Sequence, residues 1–147
     1  VTRHPILAAI APDNGAAPSP KESVADVKPI VVVDDDDWVC DSLRVLLESY
    51  GYRVLAYGSG VRLLADDRHR RAGVFIVDHH MPEMDGLAVI AALRREGVSA
   101  PTVLTTGRLD PGVAEHAAAL GISTILEKPF TAVRLVETVR AGLKRHG

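Results

Sequence analysis

From Ile30 onward the chain alternates between two hydrophobic periods. Five short runs rich in β-branched and apolar residues read as strands: Ile30-Val31-Val32-Val33, Arg53-Val54-Leu55-Ala56, Val74-Phe75-Ile76-Val77, Thr102-Val103-Leu104-Thr105 and Ser123-Thr124-Ile125-Leu126. The first and third are continuously apolar, which suits strands covered on both faces. Between and after them, apolar residues recur at helical spacing: Val39, Leu43, Leu46, Leu47 and Tyr50; Val61, Leu63 and Leu64; Leu87, Ile90 and Ala91; Val113, Ala117 and Leu120; Leu135, Val136, Val139 and Leu143. Gly51, Gly97 and Gly121 mark helix ends, and Lys144 and Arg145 suit the negative end of the last helix dipole.

Five strands alternating with five helices predict an α/β domain built on a five-stranded parallel sheet. Right-handed crossovers favour a doubly wound, flavodoxin-like (βα)5 arrangement with strand order 2-1-3-4-5. Residues 1–28 break the pattern. Four prolines among Ala, Ser, Asp and Asn give no sustained period, and too little apolar surface to offset ordering, so a flexible N-terminal extension is expected there. The run Pro5–Ala11 is short for a signal-peptide core and lacks a convincing cleavage site, so it reads as part of that tail.

Bulk properties narrow the function classes. The chain has 147 residues, 47% of them hydrophobic and 24% charged, which fits one domain with a tail. A net charge of −2 gives no nucleic-acid footprint. No apolar stretch approaches the roughly 20 residues that cross a bilayer. The lone Cys40 cannot form an internal disulfide, which agrees with a cytoplasmic location.

In doubly wound sheets ligands bind beyond the carboxyl ends of the strands, near the switch point between strands 1 and 3. The chemistry gathers there. Strand 1 runs into Asp34-Asp35-Asp36-Asp37, strand 3 into Asp78, strand 4 into Thr105 and Thr106, and strand 5 towards Lys128. Helix capping accounts for Asp36 and Asp37. It does not account for Asp34, Asp35 and Asp78, which adjacent strands 1 and 3 would bring within a few ångströms. Such carboxylates repel one another unless a cation neutralises them, and an all-oxygen set favours a hard divalent ion, Mg²⁺ or Mn²⁺. Lys128 would add a positive charge and Thr106 a hydroxyl donor, completing a set suited to a phosphoryl group. A carboxylate within it can serve as nucleophile.

From about Lys28 onward the chain resembles the receiver domain of two-component response regulators. The resemblance is carried by Val33-Asp34-Asp35, by Val77-Asp78-His79-His80-Met81-Pro82-Glu83-Met84-Asp85-Gly86, by Thr106-Gly107 and by Glu127-Lys128-Pro129-Phe130. The Thr-Gly and Glu-Lys-Pro-Phe forms are similar to receivers that precede LuxR-type outputs. The resemblance implies a receiver domain over 29–147, a bacterial signalling switch and not a turnover enzyme. It implies Asp78 as phosphoacceptor, with Mg²⁺ held by Asp35, Asp78 and the backbone carbonyl of His80, and by Asp34 directly or through water. Thr106 and Lys128 would contact the phosphoryl group. A sensor histidine kinase or histidine phosphotransfer protein would donate it, and the face of helix 4, strand 5 and helix 5 would bind a partner or a second copy. A cis Lys128-Pro129 bond, tight backbone at Gly86 and Gly107, and screening of the aspartyl-phosphate by His80 and Arg108 are further implications.

One position departs from the family pattern: Ile125 stands where an aromatic ring usually reports phosphorylation. His79 and His80 do not suggest a transition-metal pair, since consecutive side chains in extended backbone diverge. His116 is expected on the apolar side of its helix, and Trp38, Cys40 and Met81 in packing roles. Two alternatives use the same residues. A haloacid-dehalogenase-type phosphohydrolase would take Asp34 as nucleophile but leave the strand-3 motif unexplained. A receiver-like interaction module would work without phosphorylation, and Ile125 leaves room for it. The chain stops after the last helix, consistent with either a stand-alone receiver or a piece of a longer regulator.

Overall fold

The computed structural model describes residues 27–146, so the expected extension over 1–28 lies, apart from Val27 and Lys28, outside the described residues. The element order is β1 (Ile30–Val33), α1 (Asp37–Ser49), β2 (Val54–Tyr57), α2 (Gly60–Leu64), a 3-10 turn (Asp67–Arg71), β3 (Val74–Asp78), α3 (Gly86–Arg95), β4 (Thr102–Thr106), α4 (Pro111–Ala119), β5 (Thr124–Glu127) and α5 (Ala132–His146). The strands form one parallel sheet in the order β2-β1-β3-β4-β5, as the crossover rule predicts.

Alternation along each strand divides the core between the two faces of the sheet. Ile30, Val32, Val74 and Ile76 pack with Leu43, Leu46 and Leu47 of α1 and Leu135 and Val139 of α5. Val31, Val33, Phe75 and Val77 face the other way, against Leu63 of α2, Leu87, Ile90 and Leu93 of α3 and Ala117 of α4. β1, β3 and β4 are buried along their whole length, while the edge strands β2 and β5 are half-buried. Each fully buried aliphatic side chain contributes about 1.5–3 kcal/mol of transfer free energy, so the central strands hold the sheet ends in place.

Side-chain oxygens cap the helices. Asp36 accepts from the backbone N–H groups of Trp38 and Val39, Ser59 from Arg62, Asp85 from Ala88, Asp110 from Val113 and Thr131 from Arg134. Gly51, Gly97 and Gly121 take φ values of +89°, +84° and +71° after α1, α3 and α4, a left-handed conformation that glycine adopts at little cost.

Several local expectations need correction. β2 and β5 each lie one residue later than their sequence runs suggest. Edge-strand limits follow pairing to the neighbour, here Val33 with Tyr57 and Thr106 with Glu127, more than local composition. The 3-10 turn, unread in the sequence, is capped by Asp66, whose carboxylate also accepts from the Tyr57 hydroxyl and the Arg68 guanidinium. His116 is exposed, because α4 fully buries only Ala117. Trp38 is 46% exposed, while Cys40 is buried and Met81 packs against the second core.

Gly86 opens α3 directly beneath the end of β3. A Cβ there would lie 2.5 Å from the carbonyl oxygen of Asp78 and 2.8 Å from Cα of His79, both backbone atoms that cannot rotate away. Gly107, by contrast, has open space around it and no positive φ, so the tight backbone expected there is absent. We predict that Gly86→Ala destabilises the fold by about 2 kcal/mol or more, the scale of overpacking in a filled core, whereas Gly107→Ala changes stability by less than about 0.5 kcal/mol. Urea unfolding midpoints check both.

Candidate functional site

The register of the central strands builds the site. Val33 pairs with Val77, so the next residue of each strand, Asp34 and Asp78, emerges side by side at the carboxyl end of the sheet. Both are buried, with 3% and 4% of their surface exposed, whereas the following Asp35 is exposed. Asp34, Asp35 and Asp78 each offer a carboxylate oxygen, and the three oxygens lie within 4.8 Å of one another. Lys128 arrives from the loop after β5. Its backbone N–H donates to the Thr106 carbonyl at 2.7 Å, and the Lys128-Pro129 bond is cis, as expected. Lys128 Nζ lies 3.2 Å from Asp34 Oδ2 and 3.1 Å from Asp78 Oδ1, bridging the two buried acids.

Electrostatics at this point are unbalanced, with three carboxylates facing one ammonium. Burial pushes the Asp34 carboxyl up from 3.8 to about 6, and repulsion from Asp78 adds to it, while the Asp36 N–H at 2.9 Å and the Lys128 charge pull the other way. Burial also opposes the charged form of Lys128, but the attraction of Asp34 and Asp78 outweighs it and raises its pKa above the ordinary lysine value. Cys40 donates from Sγ to the Asp34 carbonyl at 3.2 Å. Burial, followed by the nearby Asp34 charge, pushes its thiol up to about 11, so it supports the end of β1 and is not a nucleophile.

The remaining expected residues are close by but differently engaged. Thr106, fully buried at the end of β4, donates its hydroxyl proton to the Arg108 carbonyl at 2.9 Å and accepts the Arg108 N–H at 3.2 Å. His80 Nε2 lies 3.1 Å from the same oxygen. The hydroxyl that approaches the acids is that of Thr105, which pairs with Asp78 in the sheet and points Oγ1 at Asp78 Oδ1 from 3.5 Å. Sequence reasoning placed Thr105 at the strand end but gave it no part; the strand register was the missing signal.

The rings of His79 and His80 do not diverge as strand geometry suggested. Their centroids are 4.9 Å apart, because β3 ends at Asp78 and the chain turns, with the His79 carbonyl accepting from Met81 N and Gly86 N. Among the described residues the metal-competent group is the three aspartates, and it includes neither histidine. Ile125 pairs with Leu104 on β5 and packs half-buried against the second core, an aliphatic side chain at the position of the expected ring.

The comparisons agree with this geometry. Residues 30–140 match the family model for the response regulator receiver domain. The chain is 36% identical over 117 residues to the transcriptional regulatory protein FixJ of Azorhizobium caulinodans, covering 80% of this chain and 56% of that protein. It is 38% identical over 118 residues to the response regulator MprA of Mycobacterium sp. (strain KMS), covering 79% and 50% respectively. Among solved structures, the response regulator StyR superposes with a TM-score of 0.74 at 31% identity, over 81% of this chain and 61% of that one. The Vibrio cholerae chemotaxis protein CheY4 gives the same TM-score of 0.74 at 27% identity, over 80% and 99%. The chain thus belongs to the response regulator receiver domain family, a class of phosphoaccepting signalling domains and not turnover enzymes. It spans about half the length of the curated relatives it matches. No helix among the described residues is long and apolar enough to cross a membrane.

The raised Asp34 pKa has a defined consequence for the metal-free protein. The folded state holds this proton more tightly than the unfolded chain does, so the associated stability is complete below pH 3.8 and lost as pH rises through about 6. Urea unfolding in a chelator should therefore show stability declining across that window. Asp34→Asn should flatten the decline and be more stable than wild type near neutrality. An unchanged slope in the variant would remove Asp34 as the cause.

Proposed function

We propose that Asp78 is the phosphoacceptor of a two-component receiver spanning 29–147, with residues 1–28 as an extension to it. The observation that carries this reading is the bridge of Lys128 Nζ between two buried carboxylates, 3.2 Å from Asp34 and 3.1 Å from Asp78, beside a third acid. Three hard oxygen donors with a surplus of negative charge fit Mg²⁺ or Mn²⁺. Asp35, Asp78 and the His80 carbonyl would hold the ion, with Asp34 doing so directly or through water. When bound, it neutralises charge on the carboxylates and on the phosphoryl oxygens.

An Asp78 oxygen attacks the phosphorus of a phosphohistidine on a sensor kinase or phosphotransfer protein. The new O–P bond forms as the N–P bond breaks, and the donor imidazole leaves with its electron pair and takes up a proton. Lys128 turns from the carboxylates to a phosphoryl oxygen, and the Thr106 hydroxyl donates to another. The chemistry is positioning and charge compensation, which asks for no acid–base residue beyond this set. His80 and Arg108, both bonded to the Thr106 hydroxyl, would screen the phosphoryl group and set its lifetime. A cytoplasmic location follows from a kinase partner of this kind. Output would run through the face of α4, β5 and α5.

The test is intact-mass analysis after incubation with acetyl phosphate, with and without Mg²⁺. Wild type should gain one labile phosphoryl adduct that depends on the cation, and Asp78→Asn should gain none. An adduct that persists in Asp78→Asn, or steady phosphomonoester turnover abolished by Asp34→Asn alone, would overturn the assignment. Mg²⁺ should also raise the thermal midpoint of wild type by mass action, with the gain reduced in Asp35→Asn.

A further inference from the structure

The Thr106 hydroxyl has no bonding capacity to spare. A hydroxyl carries one hydrogen and two acceptor positions. Its hydrogen goes to the Arg108 carbonyl, and one acceptor position takes the Arg108 N–H. The remaining position faces His80 Nε2 at 3.1 Å, and the imidazole donates to it in the tautomer that carries its hydrogen on Nε2. Three bonds saturate the oxygen, and none of them reaches a site carboxylate. The two Arg108 bonds are local, from a residue two positions along the chain. His80 is 26 positions away, on the loop after β3, and its bond ties that loop to the one after β4. The His79 ring, 4.9 Å away, lies against the His80 imidazole.

We infer that His80 is a positioning residue that latches Thr106 in the resting state, so that turning the hydroxyl toward a phosphoryl group on Asp78 gives up the bond from the imidazole as well as the bond to the Arg108 carbonyl. This rests on Asp78 as the acceptor, but it concerns the hydroxyl before any chemistry occurs. On activation the hydroxyl hydrogen leaves the Arg108 carbonyl for a charged phosphoryl oxygen, a shorter and stronger bond, and the bond from the imidazole is lost as the side chain turns. The latch therefore sets a threshold without blocking the switch. One neutral hydrogen bond shifts an equilibrium by roughly 2- to 10-fold.

The experiment is a double-mutant cycle read by beryllofluoride binding in Mg²⁺, a stand-in for the bound phosphoryl group, on wild type, His80→Ala, Thr106→Val and the double variant. His80 is exposed, so its removal leaves the core intact. His80→Ala should bind beryllofluoride roughly 2- to 10-fold more tightly than wild type, and the gain should vanish in the Thr106→Val background. Without metal or beryllofluoride, the ¹³C methyl resonance of Thr106 should shift in His80→Ala, reporting a changed rotamer. Equal tightening in both backgrounds would mean that His80 acts by shielding the site, and would overturn the latch, as would an unmoved Thr106 methyl. A wild-type protein that fails to bind beryllofluoride overturns the phosphoacceptor reading instead, and the methyl comparison then decides the latch alone.

Discussion

Two carboxylates buried at the end of a parallel sheet share a single ammonium, and the rest of the site is arranged around that shortage of positive charge. Desolvating a carboxylate is costly, and placing two of them in adjacent strands adds repulsion to the desolvation. Lys128 relieves part of this by bridging Asp34 and Asp78, and the Asp36 N–H relieves a little more at Asp34. The residue of unfavourable energy appears as the raised Asp34 pKa. A pocket in this condition gains from any added cation, and also from Lys128 finding a more highly charged anion. Its attraction for a divalent ion and its suitability for a phosphoryl group thus have one origin.

The scaffold keeps that unfavourable arrangement from relaxing. β1 and β3 are buried from end to end and locked in register by hydrogen bonds, so Asp34 and Asp78 cannot drift apart to reduce their repulsion. Gly86 lets α3 start against the Asp78 carbonyl, closing the space below the site. Cys40 holds the Asp34 carbonyl from α1. The helices on either face of the sheet therefore each brace one of the two acids, and a strained polar cluster persists because an ordinary apolar core surrounds it.

The sequence made the order of elements, the sheet topology and the convergence of Asp34, Asp35, Asp78 and Lys128 readable, since each depends on long-range rules that apolar runs reveal directly. It was less informative where pairing or packing overrides local composition. β2 and β5 shifted by one residue because edge strands take their limits from a neighbour. The 3-10 turn over Asp67–Arg71 escaped notice because it carries no apolar period. His116 was misplaced because a short helix rich in alanine has no well-defined apolar side. At the site, the part of Thr105 was hidden because it depends on strand register, and the bonds of Thr106 to His80 and Arg108 because they depend on how the chain turns after β3 and β4.

That same shallow seating of α4 bears on how a local charge change can be felt elsewhere. α1 buries six residues, among them Val39, Leu43, Leu46 and Leu47, and α3 likewise buries six, whereas α4 fully buries one small side chain, Ala117. Tilting or sliding a helix costs roughly in proportion to the apolar area it uncovers. α4 begins at Pro111, a few residues beyond Thr106 and Arg108. α4 is therefore cheaper to displace than α1 or α3, and it follows directly on the segment that carries Thr106 and Arg108.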